Sequence, residues 1–534
     1  MITPVFASTV FGLDWRDALV VGLYLVAMIA IGLWFKWRES RGGGTEEYLL
    51  GNRGMPWWLV GIAYVMTLLS TNSLVAVPGE AFNHGLALSL RYLLAPFVGI
   101  AIFYLFIRFF FRSRVFTPFT YLEERFDRRV RALGSIAYVV IRLFYLALVL
   151  YSSALVLQTV AGWAVPASIL VIGIVGLVYV YFGGAKALVW ADFVQFLLLI
   201  GGLALIAGVC ISRVDGGVAG IVRYALDHGR GFEAMQQPSF YELTPYVRLN
   251  LWLMLFVTVS DRMFFASADQ LAVQRLLSTS SYRAAERSYW FSQLITLPTM
   301  LVLWFLGLAV FAYYGQHPVA GTRLTGDAAL FRFVTTELPP FAPGLFIAAC
   351  LGLIMSTLDA GFHSLATVVV KDIYGVFVNP RASEEQQLKL SRVLIAAVAF
   401  VAMALAFFVA VTAGKLASSF LETTVFWISF QGLLAMIFLI GVTSCRVTGG
   451  DILRAFAGAS IVTVITLWLY VEGRGTARPM SFLFVAIPGE VALLVLGYLP
   501  ALWRKRLPPE KTAGLTLFTL GSSGKAKPPS PSSP

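Results

Sequence analysis

Apolar segments of about 20 residues recur along nearly the whole chain, with short polar loops between them. About 20 apolar residues are needed for a helix to cross the hydrocarbon core of a bilayer. The pattern therefore predicts an all-α polytopic membrane protein with about thirteen transmembrane helices. We expect these helices to start near residues 16, 56, 87, 133, 166, 189, 249, 289, 343, 389, 417, 449 and 480.

The composition agrees with this class. Hydrophobic residues make up 58% of the 534 residues, charged residues make up 13%, and the mean hydropathy is +0.80, values that soluble proteins do not reach. The net charge of +12 does not indicate nucleic-acid binding, because Lys and Arg lie mostly in short loops where they set topology. We expect the lipid bilayer and small solutes as partners, and a monomer.

Basic residues follow the odd-numbered helices, which places those loops in the cytoplasm by the positive-inside rule. The N-terminus is then outside and the C-terminus inside the plasma (inner) membrane. Residues 1–503 are predicted to form the transmembrane domain, and the Pro-, Ser- and Lys-rich residues 504–534 a disordered cytoplasmic tail. The inner basic residues include Lys36, Arg38, Arg41, Arg53, Arg108, Arg112, Arg114, Arg275, Arg283, Arg287, Lys371, Arg381, Lys389 and Arg392.

The predicted ninth helix carries polar residues along one side of an otherwise apolar span, residues 344–374. At about 100° per residue they fall within roughly one 100° arc, which we call the ninth-helix seam. It consists of Ser356, Ala360, His363, Ser364, Thr367 and Lys371, with Thr357 at its edge. Such oxygens suit a dehydrated hard cation such as Na⁺. The alternative is that the hydroxyls bond to their own helix and allow close packing.

Two spans that lie five helices apart both carry polar residues at mid-span. The second has Ser70, Thr71, Asn72 and Ser73, followed by a Pro-Gly pair, and the seventh has Ser260, Asp261 and Arg262. Interrupted first helices in successive five-helix units are typical of an inverted-repeat transporter of the LeuT type, with its binding site between the breaks. We therefore predict a 5+5 repeat of helices 2–6 and 7–11, with one leading and two trailing helices. Ordinary spans with structural polar residues are the alternative.

Four motifs in order along the chain resemble those of the sodium/solute symporter family, which includes carriers of sugars, proline, sialic acid and pantothenate. They are EYLLGNRGMPWW before the second helix, GGAKALVWADFVQ into the sixth, ASADQLAVQR ending the seventh, and MSTLDAGFHSLATVVVKDIY in the ninth. The resemblance covers about residues 15–445. It implies a sodium site between the second and ninth helices.

The resemblance also implies the ligands of that sodium site. Ser356 and Thr357 match its hydroxyl ligands, and the carbonyls of Met66, Leu69 and Leu353 match its backbone ligands. Asp192 matches an acid that serves a second sodium site in some members, where hydroxyls stand at the positions of Asp359 and Ala360. Asp359 then either replaces those hydroxyls as a ligand or pairs with a base, and we favour one sodium ion.

The residues that the resemblance assigns to solute binding differ from those of the sugar carriers. Arg91, Tyr92, Arg262 and Phe265 stand there instead, and the polar cluster Ser70, Asn72 and Ser73 and neutral His363 are further candidates. An unpaired guanidinium inside a membrane must find an anion. Arg91 and Arg262 either bind a solute carboxylate bidentately or pair internally, Arg262 with Asp261 or Asp269 and Arg91 with Glu80. His363 is otherwise satisfied by another helix. Arg142 and Glu422 are expected to form a structural pair.

The candidate functions are a secondary transporter, a membrane enzyme and a solute sensor. A sodium-coupled secondary transporter that imports a small organic solute by alternating access explains the broken helices, the seam and the arginines together. The solute is then an anionic carboxylate or, as the alternative, a neutral sugar or amino acid. No motif of a membrane enzyme is present. No cofactor is expected, with Na⁺ as the coupling ion. A solute sensor built on a transporter body is the alternative of another class.

Overall fold

A computed structural model describes residues 9–10, 13–38, 44–69, 71–112, 115–319, 324–412, 425–473, 476 and 479–519. Within these ranges, nine helices and two bent helix pairs are long and apolar enough to cross a membrane, and two shorter apolar helices, Val165–Val178 and Ile428–Thr443, lie between them. These elements together number thirteen, as predicted, and eleven of them have the length and composition of a membrane span when each bent pair counts as one. The only strands in this part of the chain are Thr9–Val10 and Leu13–Asp14, which pair before the first helix.

The spans are numbered α1 to α13 in chain order. Their bounds are Trp15–Arg38 (α1), Trp57–Leu68 and Thr71–His84 (α2a and α2b), Ser89–Arg112 (α3), Arg128–Ala161 (α4), Val165–Val178 (α5), Gly183–Arg213 (α6), Leu251–Ser267 and Gln270–Leu277 (α7a and α7b), Tyr282–Gln316 (α8), Ala342–Val368 (α9), Glu384–Thr412 (α10), Val425–Thr443 (α11), Gly449–Glu472 (α12) and Phe484–Leu502 (α13). A π-helical segment, Val369–Val378, continues α9.

The first helix of each predicted five-helix unit is broken. α2 bends by 59° and α7 by 51° at their breaks. Leu69 leaves the helical conformation at the end of α2a (φ −83°, ψ 131°), and Asp269 does so between α7a and α7b. The last carbonyls of a helix have no intrahelical partner, so each break exposes backbone oxygens inside the protein.

Among the nine unbroken spans of membrane length in the described residues, α9 is the most enclosed. In its apolar stretch 94% of the residues are buried inside the protein, whereas in that of α1 17% are buried. α9 packs against α6, α4, α1 and α10, and Ser356, Thr357 and Asp359 have no solvent-accessible surface. Its polar side chains therefore meet protein rather than lipid.

The second half of the second span, α2b, packs closely on α8. A Cβ atom added to Gly307 would overlap the carbonyl oxygen of Pro78 and stand 2.6 Å from Cβ of Ala81, so α2b approaches α8 through a glycine. We expect Gly307→Ala to lower stability by about 1–3 kcal/mol, because overpacking strains a filled interface.

Thermal unfolding of purified protein measures this effect, with Gly208→Ala in α6 as the matched control. A Cβ on Gly208 has no heavy atom within 4 Å. An unfolding temperature for Gly307→Ala equal to that of the control would contradict the close approach.

The start of α4 and the π-helical segment after α9 are joined by a polar cluster. Arg131 donates from Nε and Nη2 to Oδ1 of Asp372 at 2.8 and 2.6 Å, and Thr117 donates to the same oxygen at 2.8 Å. Glu123 accepts from Arg131 at 2.7 Å and from Arg128 at 2.9 Å. Burial alone raises the pKa of Glu123, but the two arginines outweigh it and hold this pKa below its usual value.

The long loop after α6 packs on the second span. Glu80 accepts two hydrogen bonds of 2.7 Å from Arg248, and Arg230 donates to the carbonyl oxygen of Phe82 at 2.7 Å. The loops after α6 and after α8 contain short helices, whose bounds are Gly217–Asp227, Glu233–Gln236 and Gly326–Glu337.

The expectation of disorder is wrong for the first part of the predicted tail. Within residues 504–519, the amides of Leu507 and Leu517 donate to the carbonyl oxygens of Cys445 and Val442, and Leu515 accepts from Tyr121 Oη at 2.8 Å. Thr516 is fully buried. Apolar residues spaced among the prolines dock this segment on the C-terminal end of α11. Residues 520–534 lie outside the described residues.

Candidate functional site

The break in α2 faces α9, and three of the predicted sodium ligands meet there. Oγ1 of Thr357 lies 2.9 Å from the carbonyl oxygen of Leu353, one turn earlier in α9, and 3.4 Å from the carbonyl oxygen of Leu69. Leu69 and Met66 are buried, and Met66 lies in the last turn of α2a, where carbonyls lose their intrahelical partners. Neutral oxygens from two helices thus converge at the break.

Ser356 is oriented by a carboxylate. Its hydroxyl donates to Oδ1 of Asp192 on α6 at 2.6 Å. Because the hydrogen points to Asp192, the lone pairs of the Ser356 oxygen remain available as a ligand. Asp192 therefore contacts the first predicted site through Ser356.

A buried arginine stands between the two carboxylates that were predicted for a second sodium ion. Nη2 of Arg275, on α7b, lies 2.9 Å from Oδ2 of Asp192 and 3.7 Å from Oδ1 of Asp359, and its Nε donates to Thr67 at 3.4 Å. The two aspartates are fully buried, and the Arg275 side chain is 7% exposed. We call Asp192, Arg275 and Asp359 the carboxylate–arginine cluster.

The assignment of Arg275 to a cytoplasmic loop is wrong. The break at Asp269 redirects the chain, and α7b carries Arg275 back against α6 and α9 instead of into the solvent. The charge is compensated by acids that are remote in sequence. Arg275 is the last residue of the ASADQLAVQR motif. Its place in that motif was a signal of a buried position, which the count of loop charges did not use.

The rest of the ninth-helix seam is satisfied by neighbouring elements. Nε2 of His363 lies 3.0 Å from the carbonyl oxygen of Tyr48, and its Nδ1 lies 3.2 Å from Nε2 of Gln274. Both ring nitrogens of this buried His363 therefore have protein partners, which favours the structural alternative for this residue. Lys371 is in the π-helical segment, donates to Gln387 at 2.7 Å and does not extend the seam.

Of the two arginines assigned to solute binding, Arg91 has an internal partner. It forms an ion pair with Asp261 of α7a, and Gln431 of α11 donates to the same carboxylate at 2.6 Å. The expected pairing of Arg91 with Glu80 is wrong, because Arg248 holds Glu80.

Arg262 has no acidic partner within the described residues. Asp261 is taken by Arg91 and Asp269 by Arg142, so both pairings expected for Arg262 are wrong. The guanidinium lies 5.1 Å from the ring centroid of Phe265, and its Nε is buried without a hydrogen-bond partner in this part of the structure. Arg262 is thus a half-buried cation in the middle of a span.

The other candidates for solute binding are distributed as follows. Tyr92 and Phe265 are half-buried, and Tyr92 contacts Trp304 at 6.0 Å between ring centroids. Ser73 is half-buried near the start of α2b. Ser70 lies outside the described residues, and Asn72 is described for its backbone only.

Arg142 and Asp269 form a fully buried ion pair between α4 and the break in α7. Tyr138 donates to Asp269 at 3.2 Å. Glu422 lies outside the described residues, so its expected pairing with Arg142 stays a prediction. Arg142 and Asp269 are 127 positions apart, and no local sequence pattern could have paired them.

Thirteen spans, two broken helices and oxygens that converge at one break define a secondary transporter of the inverted-repeat class. The family model named sodium:solute symporter family matches residues 48–450. The chain belongs to this family. Its members are transporters and not enzymes, and sodium is their coupling ion.

Individual proteins extend the likeness. The chain is 26% identical to the sodium/sialic acid symporter of Proteus mirabilis, over 90% of this chain and 93% of that protein. Its fold is similar to that of a Na⁺-coupled sialic acid symporter solved in a substrate-bound outward-open state, with a TM-score of 0.81, 22% identity and coverage of 92% and 99%. A nucleobase-cation-symport-1 family transporter in a closed conformation gives 0.54, with 14% identity and coverage of 85% and 93%. These likenesses confirm the predicted LeuT-type fold.

Proposed function

We propose that this symporter imports a small organic anion carrying a carboxylate, together with one sodium ion bound between α2 and α9. The sodium ligands are the carbonyl oxygens of Met66, Leu69 and Leu353 and the hydroxyls of Ser356 and Thr357. Neutral oxygen ligands bind Na⁺ strongly enough to capture it and weakly enough to release it. The convergence of Leu69, Leu353 and Thr357 within 3.4 Å supports this ligand set.

The charge of the neighbouring cluster favours a cation at this site. Ionised Asp192 and Asp359 carry two negative charges and Arg275 one positive charge, so the carboxylate–arginine cluster has a net charge of −1 next to Ser356. A buried uncompensated charge is unfavourable. One bound Na⁺ brings the site and the cluster together to neutrality.

The same cluster supports a stoichiometry of one sodium ion. The guanidinium of Arg275 lies 2.9 Å from Asp192 and supplies the positive charge that a second sodium ion would supply there. We therefore assign Asp192 and Asp359 to holding Arg275, and Asp192 in addition to orienting Ser356.

We expect Ser356→Ala or Thr357→Ala to raise the sodium concentration for half-maximal binding by about tenfold, equivalent to about 1.4 kcal/mol. Each change removes one oxygen ligand. Sodium titration of the unfolding temperature of purified protein measures this. Ser364→Ala is the control, because Ser364 bonds to Gly361 of its own helix and to Tyr138 of α4 and is not one of the proposed ligands. Unchanged sodium dependence in both variants would reject the ligand assignment.

The unpaired Arg262 is the observation that carries the proposal of an anionic solute. A guanidinium inside a membrane needs an anion, and no described acid within reach provides one. Phe265 covers one face of the guanidinium, which leaves its hydrogen-bonding edge for a bidentate carboxylate. The sialic acid transported by the Proteus mirabilis relative is itself a carboxylate, which agrees with this chemistry.

A thermal-shift screen tests the proposal. Purified protein is heated with carboxylates, neutral sugars or neutral amino acids, each with sodium and with potassium in its place. We expect stabilisation by a carboxylate that requires sodium, because a ligand that binds only the folded state raises its stability. Stabilisation by neutral sugars alone would contradict the anionic solute and would favour a neutral one.

The orientation with the N-terminus outside, the plasma-membrane location and the monomeric state are parts of the same proposal. The distribution of basic residues supports the orientation. Import then follows the inward sodium gradient by alternating access.

A further inference from the structure

A carboxylic side chain lies inside the protein on α13, one of the two trailing helices outside the repeat. Glu490 has no solvent-accessible surface. The hydroxyl of Ser260, near the middle of α7a, donates to its Oε1 at 2.7 Å, and its Oε2 has no hydrogen-bond partner within the described residues. Neither the sodium site nor the proposed solute site uses this group.

A glycine on α11 admits the carboxyl group. A Cβ atom added to Gly432 would overlap Oε1 of Glu490 and would stand 2.8 Å from Oγ of Ser260. The preceding residue, Gln431, holds Asp261 at 2.6 Å. Asp261 of α7a is therefore bonded to Gln431 of α11, Ser260 lies beside Gly432, and Glu490 enters at this junction.

The charges around Glu490 do not neutralise an ionised carboxylate. α11 has no titratable residue between Val425 and Thr443, and α12 presents Thr463 next to Gly489 of α13. The charged residues of α12 are Asp451, Arg454 and Glu472, close to its two ends. α7a contributes Asp261 and Arg262. The charge of Asp261 is matched by Arg91 of α3, and Arg262 forms no ion pair with Glu490 within the described residues.

An ionised Glu490 at this position would be a buried charge with a single hydroxyl donor, which is strongly unfavourable in a membrane interior. A bound proton removes the charge. It leaves Oε1 as the acceptor for Ser260 and turns the group at Oε2 into a donor.

We propose that Glu490 is a proton-binding site that links the trailing helix α13 to the broken helix α7, and that the protein binds sodium and solute with this proton in place. The proton comes from the external solution, because Glu490 lies in the first turns of α13 after the loop that contacts Pro245 and Arg248. Loss of the proton leaves an unpaired carboxylate beside Ser260 and loosens the junction that holds Asp261. Stability and binding are therefore retained at acidic and neutral pH and fall as the pH rises.

Infrared difference spectroscopy of the full-length protein in detergent tests the protonation directly. The spectrum of wild type minus that of Glu490→Gln, recorded at neutral pH, is expected to show the carbonyl band of a protonated carboxylic acid. Glu472→Gln, a change at an exposed glutamate on α12, is expected to show no such band. Only carboxylate bands in the Glu490 difference spectrum would overturn the proposal.

The second measurement is the unfolding temperature in sodium chloride from mildly acidic to alkaline pH. Wild type and Glu472→Gln are expected to lose several degrees as the pH rises, whereas Glu490→Gln, which mimics the protonated acid, is expected to stay level. An identical alkaline loss in Glu490→Gln would overturn the proposal. Glutamine is neutral, like the protonated acid, and can accept the same hydrogen bond from Ser260. A failure of Glu490→Gln to fold would therefore likewise contradict the proposal. Neither measurement uses a solute, so the outcome is independent of the anionic-solute proposal.

Discussion

Arg262→Met is expected to reduce the initial rate of uptake of the carboxylate solute by about 30-fold or more. Removal of one partner of a desolvated, hydrogen-bonded charge pair costs about 2–5 kcal/mol, and each 1.4 kcal/mol is tenfold. Methionine keeps much of the length of the arginine stem but has neither the charge nor the donors. Uptake into proteoliposomes at a solute concentration below saturation measures the effect.

Two further variants separate the role of Arg262 from a general loss of function. Arg262→Lys keeps the charge but loses the bidentate geometry, and we expect an intermediate rate. Arg128→Met removes an exposed arginine that pairs with Glu123 before α4 and should leave uptake unchanged. Wild-type uptake by Arg262→Met would contradict the assignment of this residue to the solute carboxylate.

Arg275→Met is expected to destabilise the sodium-free protein by about 3–5 kcal/mol, the usual result of breaking a buried ion pair from one side. It leaves Asp192 and Asp359 with a net charge of −2, which one sodium ion no longer neutralises. Sodium should therefore rescue this variant, and its sodium dependence should become steeper, with a Hill coefficient that rises from about one towards two. Sodium titration of thermal unfolding measures both effects.

The double variant Arg275→Met/Asp359→Asn is the matched control, because it restores the net charge of −1. We expect it to recover most of the stability and the single-site sodium dependence. If Arg275→Met alone is as stable as the wild type and keeps the same sodium dependence, Arg275 does not hold the place of a second cation.

Helices and the break in α2 were predictable because both follow from local chemistry. Twenty apolar residues need a helix in lipid, and polar residues in mid-span mark the places where the helix opens. Ser356 and Thr357 were placed by a motif contained in one helix. The contact of Thr357 with Leu69 required the fold.

Charge pairing was not predictable, because it joins residues far apart in the chain. The sequence places Arg275 in a loop, because it follows an apolar span. In the fold α7b lies inside the protein, and Arg275 contacts Asp192 and Asp359 there. Glu490 lies in a helix that the resemblance scarcely covers, and its position depends on Gly432 of α11. Residues 504–519 have the composition of a tail, yet a few hydrogen bonds and buried threonines dock them.

The central claim is that a gradient of sodium, one ion per solute, drives a carboxylate across the membrane. The direct measurement is uptake by wild-type proteoliposomes of a radiolabelled monocarboxylate selected by the thermal-shift screen, with and without an inward sodium gradient and with an imposed potassium diffusion potential. One sodium ion and one monocarboxylate carry no net charge together. We therefore predict accumulation that requires the sodium gradient and does not respond to the membrane potential. Uptake that is independent of sodium would contradict the coupling, and uptake accelerated by an inside-negative potential would contradict the single ion.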